Sequence, residues 1–177
     1  MNNKLKELTL EAHRNAERQK FAKILLSGKI TPELYHQYLY NQYHIYRALE
    51  EKIDISEIEN IKRHSLIAED INELETTYNI TPTIPLCDTT LEYVRYIQNL
   101  NDNSKLLAHL YVRHFGDMYG GQIIKKQVPG SGNMYNFENV EELKTKVRAM
   151  LSDDMHEEAI LCFEYATKLF KELTNDE

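Results

Sequence analysis

The sequence contains no tryptophan, only two cysteines and four prolines, and no long apolar run. Cys87 and Cys162 are too few for a disulfide framework and form no CxxC metal pair, which indicates a reducing cytosol. Because no stretch of about 18 apolar residues occurs, no segment is expected to span a membrane. The N-terminus has no apolar core of the signal-peptide type, and the chain ends in LTNDE without a hydrophobic tail. We therefore expect a cytoplasmic protein.

Basic residues are in the minority, with 21 lysines and arginines against 28 aspartates and glutamates, for a formal net charge of −7. This balance argues against non-specific binding to nucleic acid. The 177 residues are 42% hydrophobic and 28% charged, which is typical of a globular chain that can bury a core. We expect one domain over residues 1–177.

Apolar residues recur mostly at three- and four-residue steps, and no segment alternates as a strand does. The pattern predicts an all-α, single-domain helical bundle. The expected helices are 3–19, 32–52, 56–78, 89–101, 104–128, 138–150 and 153–174. The longest connection is 79–88, and Ser56 with Glu59 and Thr89 with Glu92 have the spacing of capping boxes.

Three of the six glycines, Gly116, Gly120 and Gly121, fall within six positions of the fifth predicted helix. A glycine inside a helix costs about 1 kcal/mol relative to alanine, so three of them need a reason. With Arg113 and Asp117 they follow steps of three, one, three and one, which place all five along one helix face. The centre of this face is backbone plus one carboxylate, on which a large flat molecule can lie. The spacing also fits a close helix–helix contact, or a helix end at the paired glycines.

The first predicted helix carries a candidate metal ligand, His13. Glu17 lies one turn away and can accept a ring N–H of His13, as the partners of metal-ligating histidines commonly do. A lone helical histidine is also an ordinary surface or core residue, so spacing alone leaves both interpretations open. Glu33-x-x-His36 has the spacing of half a di-iron site, but no second such motif occurs.

A histidine on one helix and a bare glycine face on another are suited to sandwiching a planar metal macrocycle. Here the sequence resembles the haem oxygenase family. Residues 111–126, YVRHFGDMYGGQIIKK, are similar to the family signature, which contains G-D-x-x-G-G-Q followed by basic residues. Residues 5–17, LKELTLEAHRNAE, resemble the proximal-helix motif, and residues 43–53 resemble the helix after it. The C-terminal third matches more loosely.

The resemblance implies that haem b, as both cofactor and substrate, lies between the first helix and a kinked distal helix. It implies that His13 binds the iron with Glu17 as its partner, and that Gly116, Gly120 and Gly121 let the distal backbone touch the haem. The implied activity is oxidative ring opening with O2 to biliverdin, with release of carbon monoxide and ferrous iron.

The resemblance also assigns roles around the implied haem. Asp117 matches the distal carboxylate, which does not bind iron but orders water near the reacting oxygen, and Tyr46 and Arg113 match supporting positions. Water held in this way can deliver protons. Four residues match positions that contact the haem propionates: Lys6, Tyr111, Lys144 and Arg148. Lysine and arginine bind carboxylates well, although each of these cations also fits an exposed surface position, and Tyr111 also fits a core position.

The sequence departs from the family beside the glycines. Tyr119 stands where the family usually has a small serine, and Phe115 and Met118 replace common leucines. A tyrosine here either crowds the pocket or adds a hydroxyl to it, so the ring carbon that is attacked stays open. The connection over 129–137 is shorter than in many relatives.

The implied reaction needs electrons from outside, since the chain has no flavin or nicotinamide motif of its own. The resemblance implies a ferredoxin or a flavoprotein reductase as the donor, and a monomer as the default state. Lys125 and Lys126, with Lys6, Lys144 and Arg148, are candidates for a basic rim that docks an acidic donor.

Two other classes of protein fit parts of the pattern. A haem-binding carrier or sensor would bind haem without turning it over, and the intact Asp117 position argues against it. An enzyme of the same fold with other chemistry, such as a thiaminase-type hydrolase or a helical di-iron oxidase, is the second. A thiaminase-type site needs a nucleophilic cysteine, but Cys87 lies in a proline-rich loop and Cys162 on an apolar helical stretch.

Overall fold

The computed structural model describes residues 3–82 and 85–175, and within these the regular structure is helical throughout, as predicted. The α-helices are α1 (Asn3–Glu17), α2 (Lys20–Leu26), α3 (Pro32–Lys52), α4 (His64–Tyr78), α5 (Asp88–Gln98), α6 (Asn103–Tyr119), α7 (Gly121–Lys125), α8 (Val140–Met150) and α9 (His156–Leu173). Short 3-10 helices cover Ser56–Ile61, Asn133–Tyr135 and Asp153–Met155. Part of the predicted connection at 79–88 lies outside the described residues.

Several helix ends follow from local chemistry. Thr31 precedes α3, where its Oγ1 accepts a hydrogen bond from the backbone N–H of Leu34 at 3.1 Å, and Pro32 occupies the first turn. Asp102 caps α6 through the N–H of Ser104 at 2.9 Å. Asn79 ends α4 in the left-handed conformation, with φ of 55°. These boundaries agree with the sequence to within a few residues.

The predicted helix over 56–78 is wrong in its first third, because the chain forms a 3-10 turn and α4 begins only at His64. The backbone N–H groups of Arg63 and His64 donate to the carboxylate of Glu50, at 2.7 and 2.9 Å. A carboxylate from α3 therefore satisfies the start of α4, and the predicted cap at Ser56 does not form.

The predicted cap at Thr89 is wrong for a similar reason. Helix α5 begins at Asp88, and the N–H groups of Asp88 and Thr89 donate to the carboxylate of Glu172, at 2.7 and 2.9 Å. The sequence pattern also missed α2 as a separate helix. The capping carboxylates of α4 and α5 are distant in sequence, so local spacing cannot identify them.

Helix α9 organises the packing, since α1, α2, α5 and α6 all contact it. Without tryptophan, the largest fully buried side chains are the tyrosines Tyr35, Tyr46, Tyr93 and Tyr135. Cys87 and Cys162 are both buried and unpaired. Within the described residues, none of the helices combines the length and apolar character needed to cross a bilayer.

Candidate active site

The glycine face of α6 is open. Gly116 and Gly120 are exposed, and a Cβ added at Gly116 would meet no atom within 4 Å. Tyr119 and Ile123 beside them are 48% and 61% exposed, which is high for large apolar side chains. Helix α6 ends and α7 begins at Gly120, whose backbone is still helical, with φ of −72° and ψ of −27°, and whose N–H donates to the carbonyl of Gly116 at 2.9 Å. The result is a partly apolar surface on which backbone is directly accessible.

Gly121, unlike Gly116, lies against another side chain, that of Tyr135. It is buried, and a Cβ added there would lie 2.4 Å from Cδ1 of Tyr135. The same Tyr135 is tied to this turn, because its carbonyl accepts a hydrogen bond from Gln122 at 2.7 Å. Glycine at position 121 therefore leaves room for the Tyr135 ring, and a haem contact for Gly121 stays a prediction.

Asp117 is bound to Tyr46, whose hydroxyl donates to Oδ2 of Asp117 at 2.6 Å. This bond joins α3 to α6 across 71 positions of sequence. Burial raises the pKa of Asp117 to about 6, although the charge of His114, the Tyr46 hydrogen bond and Arg113 act to lower it. A carboxyl group with this pKa can both accept and release a proton near neutral pH.

Arg113 is buried behind this pair. Its Nε donates to the hydroxyl of Tyr93 and its Nη1 to the side-chain oxygen of Gln42, both at 3.3 Å. Its Nη2 is buried with no hydrogen-bond partner among the described residues. Burial alone would lower the pKa of Arg113, but Tyr93, Cys162 and Tyr46 raise it overall, so the guanidinium stays charged. The site thus holds a fixed cation with an unused donor.

The structure adds a residue that sequence reasoning missed, Glu50 of α3, whose side chain is fully buried. Besides the N–H groups of Arg63 and His64, it binds His64 Nδ1 and His114 Nε2, each at 2.7 Å. Burial alone would raise the pKa of Glu50, but the hydrogen bonds and charge of His114, with the N–H groups, lower it to about 2. In the sequence Glu50-Glu51 has the pattern of a solvated charge pair, so no signal pointed to it.

His114 links Glu50 to the Asp117–Tyr46 pair. The His114 ring lies 5.0 Å from the Tyr46 ring, centroid to centroid, and one helical turn before Asp117. The only sequence signal was the place of His114 inside VRHFGD, next to Arg113.

Cys162 lies behind Arg113, not at the open face. The hydroxyl of Tyr93 lies 2.6 Å from His109 Nδ1 and 3.3 Å from the Cys162 sulfur. Burial alone would raise the pKa of the Cys162 thiol, but Arg113 and His109 hold it below its usual value. The thiol is nevertheless fully buried, which agrees with the sequence-based argument against a nucleophilic cysteine.

His13 lies on α1, and its Nε2 is 2.5 Å from Oε1 of Glu17, as the spacing predicted. Its ring stacks on Phe163 of α9, with centroids 5.0 Å apart and planes 15° apart. The side chain is 47% exposed, so the imidazole lies partly at the surface. By contrast, His36 of the Glu33-x-x-His36 motif is buried and pairs with Glu75 at 2.9 Å.

Three of the four predicted propionate contacts, Tyr111, Lys144 and Arg148, lie close to aromatic side chains beside the glycine face, and Lys6 is not brought to them by any contact of the described residues. Lys144 Nζ lies 3.8 Å from the centre of the Tyr119 ring, and Arg148 hydrogen-bonds to the Tyr119 hydroxyl. Tyr111 packs against Phe115, with ring centroids 5.4 Å apart. Lys6 is exposed on α1, about two turns before His13. Of the rim lysines, Lys126 is exposed and Lys125 binds the side chain of Asn136.

These features suit a haem group. α1 and α6 both pack on α9, and one carries an accessible imidazole while the other carries accessible backbone. Cations suited to two carboxylates lie at an edge of that face. The fold and site therefore define an all-α protein with a candidate planar-cofactor site.

Comparison with known proteins agrees with this class. The model of the family described as Heme oxygenase matches residues 1–172, so the chain belongs to the haem oxygenase family, a family of enzymes. It is 29% identical to a Heme oxygenase of Porphyra purpurea, covering 98% of this chain and 86% of that protein. It is 31% identical to Heme oxygenase 2 of Oryctolagus cuniculus, covering 96% of this chain and 64% of that protein.

A solved structure shares the fold. The crystal structure of heme oxygenase-1 from the cyanobacterium Synechocystis, in complex with heme, superposes with a TM-score of 0.82 at 25% identity. The match covers 97% of this chain and 90% of that one.

Proposed function

We propose that this chain opens haem oxidatively to biliverdin, with release of carbon monoxide and ferrous iron. The observation that carries the proposal is the Asp117–Tyr46 pair, 2.6 Å apart, beside the exposed backbone of Gly116 and Gly120. Haem, when bound, supplies the iron that binds oxygen and is also the ring that is opened. The chain's own residues bind and orient it, and hold water and protons on its distal side.

On the proximal side, His13 provides one ring nitrogen for the iron. Glu17 accepts the N–H of the other nitrogen, which fixes the tautomer and the orientation of the ring. Phe163 supports the imidazole by stacking on it. An imidazole ligand would donate less electron density to the iron than a thiolate would, and so would favour splitting of the O–O bond less.

On the distal side, Asp117 holds water through its carboxylate oxygens, and Tyr46 fixes one of these oxygens by its hydrogen bond. With a pKa of about 6, Asp117 passes protons to that water and takes them back. Arg113 supports the network as a buried, permanent cation. Gly116 and Gly120 leave backbone open on this side, and Gly121 would let the backbone approach the haem where α6 and α7 meet.

Lys6, Tyr111, Lys144 and Arg148 bind the haem propionates. The two carboxylates need cationic or hydroxyl partners, and Lys144 with Arg148 on one face of α8 offers both a point charge and a planar donor pair. O2 and an external electron donor complete the reaction, and the donor is a ferredoxin or a flavoprotein reductase. We propose a monomer of one domain over residues 1–177, located in the cytoplasm.

Substitution Asp117→Ala tests the assignment. We expect the variant to bind hemin with near wild-type affinity, because Asp117 does not contact iron, and to lose biliverdin formation by 10²-fold or more, on the order of one general acid–base contribution. Hemin titration measures the affinity, and chromatography of the products after ascorbate addition measures biliverdin formation. Asp54→Ala, at an exposed aspartate, is the control. Biliverdin formation at the wild-type rate in Asp117→Ala would remove Asp117 from the mechanism.

The alternative is a haem-binding carrier or sensor of the same fold. It predicts a stable hemin complex that survives both ascorbate and a ferredoxin reductase system. The Asp117–Tyr46 pair beside the open backbone of Gly116 favours the enzyme, because a carrier has no use for a proton-exchanging network at this position.

A further inference from the structure

Tyr119 connects the glycine helix to both predicted propionate cations. Its hydroxyl accepts a hydrogen bond from Nη2 of Arg148, and its ring lies under Lys144, with Nζ 3.8 Å from the ring centre. The ring is also held edge-on against Phe115, with centroids 5.8 Å apart and planes at 72°. One side chain on α6 therefore contacts two cations on α8.

The position of Tyr119 makes these contacts relevant to the substrate. Tyr119 directly precedes Gly120 and is 48% exposed on the open face of α6. The guanidinium carbon of Arg148 also lies 5.6 Å from the centre of the Phe115 ring, so Arg148 lies against both Phe115 and Tyr119 of α6. A propionate that approaches Arg148 from this face would compete with the Tyr119 hydroxyl for the same guanidinium N–H.

A carboxylate is the better acceptor for a guanidinium. It carries a full charge and two oxygens, whereas a phenol hydroxyl offers one neutral oxygen. An exchange of the hydroxyl for a carboxylate at Arg148 is therefore favourable, but part of the gain is offset by the bond that breaks. A ligand without a carboxylate cannot make this exchange.

We propose that Tyr119 holds the carboxylate site of the haem-free chain, so that binding of haem exchanges its hydroxyl for a propionate at Arg148. Tyr119 thereby lowers the affinity for haem but not for its esters, so it reduces the preference for tetrapyrroles with free carboxylates. This role rests on the proposed function, because it takes haem as the substrate. The Tyr119 ring keeps its contact with Lys144 during the exchange, so the cation of Lys144 stays at the edge of the site.

Substitution Tyr119→Phe separates the hydroxyl from the ring. It removes the competing acceptor and keeps the ring under Lys144 and against Phe115. We expect hemin to bind about 3- to 10-fold more tightly, the range of one modest hydrogen bond. Hemin dimethyl ester, whose carboxylates are blocked, should bind the variant and the wild type equally.

The experiment titrates the full chain with hemin and with hemin dimethyl ester, followed by the Soret absorbance. Tyr78→Phe, at another exposed tyrosine at the end of α4, is the matched control and should change neither affinity. Equal or weaker hemin binding by Tyr119→Phe would overturn the proposal, as would an equal gain for acid and ester. Failure of the wild type to bind hemin would overturn the proposed function with it, which distinguishes the two.

Discussion

Glu50 is a buried carboxylate whose partners come from several helices. Its fully buried carboxylate joins three helices, since it lies on α3, receives the first N–H groups of α4 and binds His114 of α6. A buried charge costs stability unless every lone pair is satisfied, and here four donors satisfy it. The contact with His114 ties α6 to α3 one helical turn before Asp117.

Substitution Glu50→Gln should therefore destabilise the fold. The amide places an NH2 group against donors that need an acceptor, so we expect a loss of about 3 kcal/mol in the free energy of unfolding, as for a broken buried pair. Urea denaturation measures it. Glu51→Gln is the control, because Glu51 forms only a surface pair with Arg47 at 2.8 Å and should lose less than about 1 kcal/mol. Equal losses in both variants would show that Glu50 contributes no more to the free energy of unfolding than a surface glutamate does.

The same carboxylate predicts a pH dependence. The pKa of Glu50 is lowered in the folded chain from an ordinary value of 4.5 to about 2. The stability it contributes is thus fully present above pH 4.5 and is lost as the pH falls toward 2, by about 3 kcal/mol in total. Wild type and Glu50→Gln should differ in urea midpoint at pH 7, and the difference should shrink steadily as the pH falls from 4.5 toward 2. A constant difference would contradict this assignment.

At the scale of elements, glycines on the two sides of the junction between α6 and α7 serve two different purposes. Gly121 leaves space for the Tyr135 ring, whereas Gly116 faces open space. The first is a requirement of the fold, and we propose that the second is a requirement of the ligand. The two residues should therefore respond to the same substitution in opposite ways.

Gly121→Ala should destabilise the haem-free chain by roughly 1 to 3 kcal/mol, because the added Cβ overlaps Tyr135 at 2.4 Å. Gly116→Ala should stabilise it by up to about 1 kcal/mol, as alanine does inside a helix, and weaken hemin binding. Thermal unfolding without hemin and a hemin titration of both variants measure these effects. Gly116→Ala with unchanged hemin affinity would remove Gly116 from the haem contact.

The helical class and the order of the main helices could be predicted from periodicity, because burial of one face imposes it over many residues. The start of α4 could not, since it is set by Glu50 from another helix, and the start of α5 is set by Glu172 in the same way. In the site, His13 with Glu17 was predictable because both lie on one helix. The Glu50–His114 contact spans 64 positions and left no local pattern.

For the molecule as a whole, the net charge of −7 repels an acidic electron donor unless basic residues are grouped where it docks. Lys125 and Lys126 follow the glycine face directly. We expect that reversing both charges to glutamate slows turnover several-fold with a protein donor at low salt and leaves turnover with ascorbate unchanged. Single-turnover rates with the two donors measure this. Equal slowing with both donors would place these lysines in haem binding or folding instead of docking.

The most direct test of the central claim uses the wild-type chain with one equivalent of hemin, to which ascorbate is added under air. Absorbance and product chromatography follow the reaction. The account predicts loss of the Soret band and elution of a biliverdin isomer, whose identity also names the ring carbon that is attacked. A hemin complex that keeps its Soret band with ascorbate, and again with a ferredoxin reductase system, would contradict the account and favour a carrier or sensor.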